Sequence, residues 1–284
     1  MTTNADHNGY VIDTESPAEM ARLINLDRLI TRGMGGALAN LPSRSLNQVL
    51  DIACGPGGWV LDIAFALPDA EVAGIDISTT MINYARARAS SQGLKNASFE
   101  VIDITQPLEF SADTFDLVNA RFLLGVLKRE QWPTLLADCM RILRPGGILR
   151  LTETQNYGIT TSPSYERLSR LCSRALFKTG YGFSIHEDSL DMTPALPYLL
   201  RKSGYEDVFV KAHALEIAPS MEGWADFYET ATITNTMVTP LLIKTQVASE
   251  QECRALHEKI LIELLNENFY GMWHYVTAYG VKPA

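Results

Sequence analysis

The sequence predicts an α/β fold in which helices cover both faces of a parallel sheet. Between residues 48 and 153, short apolar runs alternate with longer stretches whose apolar residues recur at helical spacing. Strands separated by helices form βαβ units, which make the strands parallel and bury both faces of the sheet. The apolar runs are QVLDIA (48–53), EVAGID (71–76), FEVID (99–103), FDLVNA (115–120) and GILRLTE (147–153).

Helices are predicted between these strands and on both sides of them. The segment SPAE at 16–19 has the pattern of a capping box, in which Ser16 caps the helix and Glu19 completes the box. Pro240 is expected to interrupt a later helix. Helices are expected over 59–67, 79–92, 132–143, 165–177, 190–203, 221–247 and from 249, and two more strands over 207–217 and 272–280.

Composition excludes several classes of protein. The 284 residues carry a net charge of −9, which argues against binding to nucleic acid, because a phosphate backbone requires clustered Lys and Arg. No apolar run approaches the roughly 18 residues of a membrane span, and the first residues are unlike a signal or transit peptide. The four cysteines have neither CxxC nor zinc spacing, so we expect reduced thiols, a cytoplasmic protein and no metal site.

The first strand leads through a glycine loop into a helix, in the segment LDIACGPGGW at 50–59. Gly55 and Gly57 match the first two glycines of the dinucleotide pattern GxGxxG, whereas Val60 takes the place of the third. Asp51 ends the strand beside this loop, where a carboxylate repels a pyrophosphate and attracts an ammonium or sulfonium group. The loop therefore favours a cationic ligand that also carries a carboxylate.

Acidic residues also end the next two strands. Asp76 in GIDIS is placed to accept hydrogen bonds from ribose hydroxyls, and Asp103 in VIDIT could accept from an exocyclic amino group. Ile77 and Ile104 follow these acids and could sandwich a base. An adenosine site next to a site for a cationic amino-acid tail predicts S-adenosylmethionine as the cofactor.

The ordered set LDIACGPGGW, GIDIS, VIDIT, FDLVNARFLLGVL and LRPGGILRLTE resembles the motifs of class I S-adenosylmethionine-dependent methyltransferases. It is most similar to the small-molecule branch related to the ubiquinone and menaquinone C-methyltransferases. The resemblance implies a Rossmann-like, doubly wound sheet of seven strands with the last one antiparallel. It also implies methyl transfer to a carbon, oxygen or nitrogen atom of a small organic metabolite.

The resemblance implies a set of cofactor-binding positions. Asp51 and the glycine loop correspond to the site of the methionine part, the second acid to the ribose site and the third to the adenine site. Cys54 belongs to the loop and is not interpreted as a nucleophile. The positions are Asp51, Ala53, Cys54, Gly55, Gly57, Asp76, Ile77, Met81, Asp103, Ile104, Asn119, Ala120 and Arg121.

The chain divides into three parts on this interpretation. Residues 1–45 form an N-terminal arm and helices, 46–155 form the cofactor-binding core, and 156–284 complete the sheet and supply a helical lid on the substrate side. The lid is rich in aromatic residues, most of which we expect to pack the added helices. The candidates for a general base are His186, Tyr157 and Glu153.

Two alternatives remain open at this point. A nicotinamide-dependent oxidoreductase could use a similar sheet, although Val60 and Asp51 argue against it. A non-catalytic protein could retain the cofactor site, because the cofactor motifs carry no information on turnover. The segment 119–122, Asn-Ala-Arg-Phe, differs from the Asn/Asp-Pro-Pro-Tyr type that methylates amino groups of bases or glutamine, which disfavours nucleic-acid and protein-amide substrates. The sequence leaves the oligomeric state open.

Overall fold

The computed structural model describes Ile12 and residues 14–284, so most of the predicted N-terminal arm lies outside the described residues. The first helix, α1, spans Pro17–Met34 and ends at Gly35, whose φ of 89° is left-handed. The side chain of Ser16 caps it by accepting a hydrogen bond from the backbone N–H of Ala18. The predicted helix is therefore present, although Glu19 has a different role that the functional site explains below.

A mostly parallel sheet forms the centre of the molecule. Its strand order is β3-β2-β1-β4-β5-β8, with β7 on the other side of β8 and the two-residue β6 beside the start of β8. Strand β8 runs antiparallel to β5 and β7, as predicted for the last strand, and β6 is an eighth strand that the sequence did not reveal. The strands are β1 Gln48–Ile52, β2 Glu71–Asp76, β3 Ala97–Val101, β4 Phe115–Arg121, β5 Leu143–Thr154, β6 Ile159–Thr160, β7 Glu206–Ile217 and β8 Gly271–Val281.

Helices cover both faces of this sheet. Val49 and Leu50 show the alternation along β1, since Val49 packs with α2 and α3 and Leu50 packs with α4 and α6 on the opposite face. None of the helices in the described part of the chain is long and apolar enough to cross a membrane. The remaining helices are α2 Gly58–Ala66, α3 Thr79–Gln92, α4 Trp132–Ile142, α5 Pro163–Lys178, α6 Met192–Lys202, α7 Trp224–Met237, α8 Thr239–Lys244 and α9 Glu250–Leu264.

A third apolar cluster joins α1 to the helices of the last third of the chain. Leu29 and Ile30 of α1 share this core with Phe227 of α7 and Ile260 of α9. The predicted helical stretch over 221–247 is two helices, α7 and α8. It is interrupted at Val238, so that Pro240 lies in the first turn of α8, where its missing N–H costs no helical hydrogen bond. These helices face α1 across the carboxyl ends of the strands.

Gly57 is expected to tolerate no side chain. A Cβ atom there would lie 2.7 Å from the Phe99 ring and 2.8 Å from Ala85, at a φ of 76°. Gly93 is the matched control, because its φ is 69° but nothing lies within 4 Å of the added atom. We expect Gly93→Ala to lower the free energy of unfolding by about 1–2 kcal/mol and Gly57→Ala to lower it by a further ~1–3 kcal/mol. Urea unfolding measures both free energies, and an equal loss in Gly57→Ala and Gly93→Ala would show that packing at Gly57 is unimportant.

Candidate active site

A cavity opens at the carboxyl ends of the parallel strands. The lining residues Asp51, Asp76 and Arg121 end or nearly end β1, β2 and β4, and Asp103 follows β3. Residues of α1, α5, α7 and α8 line the opposite side. This is the position where open α/β sheets bind ligands. The site is thus assembled from the sheet, from the N-terminal helix and from the last third of the chain.

The glycine loop and Asp76 brace each other at one end of the cavity. The backbone N–H of Gly55 donates to one carboxylate oxygen of Asp76 and that of Ser78 to the other, each over 2.9 Å. Burial raises the pKa of Asp76, and these two amides oppose the shift. Because each carboxylate oxygen has a second lone pair, Asp76 keeps acceptor capacity toward the cavity.

A row of polar side chains, here named the polar ladder, crosses the buried sheet beneath the cavity. Asp51, Asn119 and Arg150 are register neighbours on β1, β4 and β5. Asn119 Nδ2 donates to Asp51 Oδ1 over 2.7 Å, and Arg150 Nε donates to Asn119 Oδ1 over 2.7 Å. Arg150 also donates to the carbonyl of Ala37 and lies over the Trp59 ring. The ladder fixes the orientation of Asp51, whose carboxylate reaches the cavity.

Burial and neighbouring groups have opposite effects on the pKa of Asp51. Burial raises its pKa to about 6, while the charge of Arg121 and the hydrogen bond from Asn119 hold it lower than burial alone would. A cation that binds beside Asp51 would favour the charged carboxylate.

An ion pair connects α1 to the floor of the cavity. Arg121 donates to Asp27 Oδ1 over 2.5 Å and to the Thr31 hydroxyl over 3.1 Å. Asp27 packs directly on Gly58, where an added Cβ atom would lie 1.8 Å from its Oδ2. The absence of a side chain at Gly58 therefore lets Asp27 approach the glycine loop and pair with Arg121.

A second ion pair from α1 lies inside the cavity. Glu19 accepts two hydrogen bonds from Arg22, each over 2.7 Å, and both residues are buried and line the cavity. The prediction that Glu19 completes a capping box was wrong, since the Ser16 hydroxyl accepts from Ala18 and Glu19 turns inward. Sequence reasoning missed Glu19, Arg22 and Asp27 as site residues. The available signal was their position beside Leu23 and Leu26 on the apolar face of α1.

Most of the predicted cofactor positions line the cavity. Gly57 lies behind the lining, where it shapes the turn into α2, and Asn119 and Ala120 also lie behind it in the interior of β4. The predicted positions on the lining are Asp51, Ala53, Cys54, Gly55, Asp76, Ile77, Met81, Asp103, Ile104 and Arg121.

The three candidates for a general base lie in different environments. Tyr157 lines the cavity, and His186 is an exposed residue that does not. Glu153 is buried behind the turn that follows β4. Burial raises its pKa to about 8, and the amides of Leu123 and Leu124 lie near enough to oppose that shift. Neither of its oxygens has a hydrogen-bond partner of good geometry among the described residues, and Glu153 does not line the cavity.

The end of the cavity away from the glycine loop is apolar. It is formed by α5, α7 and α8, and no charged side chain from these helices lines it. Of the aromatic residues of the predicted lid, Tyr157, Tyr165 and Phe227 line the cavity. The lining residues of the three helices are Tyr165, Cys172, Leu176, Phe227, Thr230, Ala231, Thr234, Val238 and Leu241.

Comparison with known proteins identifies the family. A family model described as a methyltransferase domain matches residues 49–147. Demethylmenaquinone methyltransferase of Lactococcus lactis is 27% identical over 179 residues, which is 58% of this chain and 68% of that protein. Trans-aconitate 2-methyltransferase of Deinococcus radiodurans is 32% identical over 151 residues, or 51% of this chain and 55% of that protein. Residues 49–147 are therefore a methyltransferase domain, and the relatives support a class I S-adenosylmethionine-dependent methyltransferase.

Solved structures agree with this methyltransferase in fold. Phosphoethanolamine N-methyltransferase 2 of Haemonchus contortus, solved with S-adenosylmethionine, aligns with a TM-score of 0.52 and 19% identity over 92% of this chain and 53% of that chain. The YcgJ protein of Bacillus subtilis aligns with a TM-score of 0.54 and 15% identity over 92% of this chain and 99% of that chain. The methyltransferase spans only about half of the nematode and Deinococcus proteins.

Together with the fold, the relatives confirm the predicted enzyme class and its cofactor, S-adenosylmethionine. These matches favour a methyltransferase over the oxidoreductase considered as an alternative. The role of each lining residue remains a prediction.

Cofactor affinity is expected to depend on pH through Asp51. A cation bound beside Asp51 lowers the pKa of Asp51 from about 6. Below pH 6, cofactor binding therefore releases a proton from Asp51, and the affinity rises as the pH increases through 6. At pH 5 about one carboxylate in ten is ionised, so S-adenosylhomocysteine, which keeps the ammonium group, should bind roughly tenfold more weakly than at pH 7.5. Calorimetry at both values checks this. Asp51→Asn should flatten the pH dependence of the affinity. An equally steep pH profile in that variant would show that Asp51 is not the titrating group.

Proposed function

We propose that this methyltransferase transfers the methyl group of S-adenosylmethionine to a neutral, largely apolar organic molecule held between α5 and α7. The observation that carries the proposal is the distribution of charge along the cavity. Among the described residues, the lining acids all lie on the sheet, the adjoining loops or α1, and the helical end contributes no charged group. The lining acids are Glu19, Asp27, Asp51, Asp76 and Asp103.

Charge pairing argues against an anionic substrate. The basic side chains on the described lining are Arg22 and Arg121, which pair with Glu19 at 2.7 Å and Asp27 at 2.5 Å. Binding a phosphate or a tricarboxylate would require breaking one of these partly buried pairs, which costs several kcal/mol for the acid left behind. The cavity thus suits a neutral substrate better than the acceptors named by the phosphoethanolamine and trans-aconitate enzymes.

The residues on the sheet side fit the cofactor. Asp51 would lie beside its ammonium group and Asp76 beside its ribose hydroxyls, while Asp103, Ile77 and Ile104 would enclose the adenine. Gly58 begins α2 on the cavity lining, so its helix N-terminus offers positive potential to the carboxylate. The carboxylates that face the cavity also favour the positive charge of the sulfonium.

Catalysis on this arrangement consists mainly of positioning. S-adenosylmethionine supplies an activated methyl group, which an acceptor atom takes by in-line displacement as the carbon–sulfur bond breaks toward sulfur. The chain contributes by holding the acceptor aligned at roughly 3 Å, an effect worth up to about 7–11 kcal/mol. No histidine within residues 14–284 lines the cavity, so Tyr157 is the predicted base candidate that remains in reach.

We also propose the division of the chain, its location and the absence of a nucleic-acid partner. The division into residues 1–45, 46–155 and 156–284 is supported by the cavity, which all three parts line. A cytoplasmic location is supported by the four cysteines, which are all unpaired and buried. The net charge of −9 supports the absence of a nucleic-acid partner.

A substrate panel with labelled S-adenosylmethionine tests the proposed substrate class. We expect methyl transfer to neutral aromatic or isoprenoid alcohols and ketones, and none to phosphoethanolamine or trans-aconitate at the same concentrations. Turnover of either anion in preference to the neutral compounds would contradict the proposal. Failure of the folded protein to bind S-adenosylhomocysteine in calorimetry would contradict the cofactor site itself.

Asp76→Ala is expected to weaken S-adenosylhomocysteine binding at least tenfold, because hydrogen bonds to a charged group contribute roughly 1.5–3 kcal/mol each. Glu100→Ala is the matched control, since Glu100 is an exposed acid on the neighbouring strand that does not line the cavity. Calorimetry measures both affinities. Because Asp76 also braces the glycine loop, circular dichroism checks that each variant is still folded. Unchanged affinity in Asp76→Ala would show that the ribose assignment is wrong.

A further inference from the structure

One face of α7 and the adjoining α8 forms a continuous wall of the cavity. Its lining residues recur at helical spacing, so their side chains lie along one stripe. The stripe is apolar except for two threonines one turn apart, Thr230 and Thr234. A helical face that lines an apolar cavity has no need of hydroxyl groups for packing alone.

The hydroxyl of Thr230 is buried without a hydrogen-bond partner among the described residues. Thr230 is 6% exposed, and its side chain lines the cavity. Threonines in helices often donate to the carbonyl four residues earlier, as Thr236 does to Thr232 and Thr245 does to Leu241. Thr230 makes no such bond, although leaving a buried hydroxyl unpaired is costly.

Several other polar groups near this wall are already bound to each other. The Tyr165 hydroxyl donates to the carbonyl of Tyr157 over 2.9 Å, and the Trp273 indole N–H donates to Thr154 Oγ1 over 2.7 Å. Thr154 Oγ1 in turn donates to the carbonyl of Asn156. These groups are therefore occupied, whereas the Thr230 hydroxyl is unpaired on a side chain that lines the same apolar space.

We infer that Thr230 is a specificity-determining residue whose hydroxyl binds an oxygen atom of the substrate, and that the substrate is a neutral apolar molecule bearing a hydroxyl or carbonyl group. The inference rests on the proposed function for the identity of the site. An apolar body fills the space between α5 and α7, and a single hydrogen bond to Thr230 sets its orientation.

Thr230 should discriminate between ligands that differ by one polar group. A ligand oxygen that pairs with the buried hydroxyl recovers a hydrogen bond that an apolar analogue cannot make. We expect the protein to prefer 1-naphthol over 1-methylnaphthalene by about tenfold in dissociation constant, which corresponds to one well-formed buried hydrogen bond. These two probes have nearly the same size and differ in the hydroxyl group.

The test compares Thr230→Val with Thr232→Val. Valine preserves the shape of threonine, and Thr232 is a matched control because its hydroxyl is also buried and unpartnered on α7 but does not line the cavity. Both variants should fold at least as stably as the natural sequence, since each removes an unsatisfied hydroxyl. Fluorescence titration with both naphthyl probes, with and without S-adenosylhomocysteine, measures the preference.

We expect the preference for 1-naphthol to fall to about twofold or less in Thr230→Val and to stay unchanged in Thr232→Val. The inference is overturned if the preference for 1-naphthol survives in Thr230→Val, or if it falls equally in both variants. It is also overturned if neither probe binds at its solubility limit. The titration without cofactor keeps the two hypotheses distinct. If S-adenosylhomocysteine does not bind but the naphthyl preference depends on Thr230, the proposed function fails and the substrate site stands.

Discussion

The site depends on the polar ladder of Asp51, Asn119 and Arg150, which holds a buried carboxylate in place near the carboxyl end of β1. Three register neighbours on adjacent parallel strands are linked by hydrogen bonds of 2.7 Å. Burial raises the pKa of Asp51 to about 6, and the charge of Arg121 and the hydrogen bond from Asn119 oppose that shift. With a pKa of about 6, Asp51 is mostly charged near pH 7 and available to a cationic ligand.

The N-terminal helix is part of the site rather than an appendage to it. Asp27 reaches Arg121 across the bare backbone of Gly58, and Glu19 with Arg22 lines the cavity. On the far side, α1 packs against α7 in the third apolar cluster. The ion pair and this packing together connect the glycine-loop end of the cavity to the helices at its apolar end, so both ends are supported by α1.

The cavity combines two environments that suit two ligands. Acidic groups and the glycine loop line the sheet side, which is the proposed site of the cationic cofactor. The helical side offers apolar contact and the unpaired Thr230 hydroxyl, where an uncharged molecule loses little by leaving water. This division follows from the architecture, because strand ends present backbone and polar side chains while an amphipathic helix presents its apolar face.

The sequence by itself determined the sheet, the glycine loop and the acids Asp51, Asp76 and Asp103, because strand periodicity and turn chemistry are local and the carboxyl ends of parallel strands meet at one edge. It could not place Asn119 beneath the cavity or His186 on the surface, since both depend on which strands and loops become neighbours. Only the tertiary structure brought Glu19, Asp27 and Thr230 to the same cavity, from helices roughly 200 residues apart in the chain. Long-range packing of amphipathic faces decides such contacts, and no local pattern encodes them.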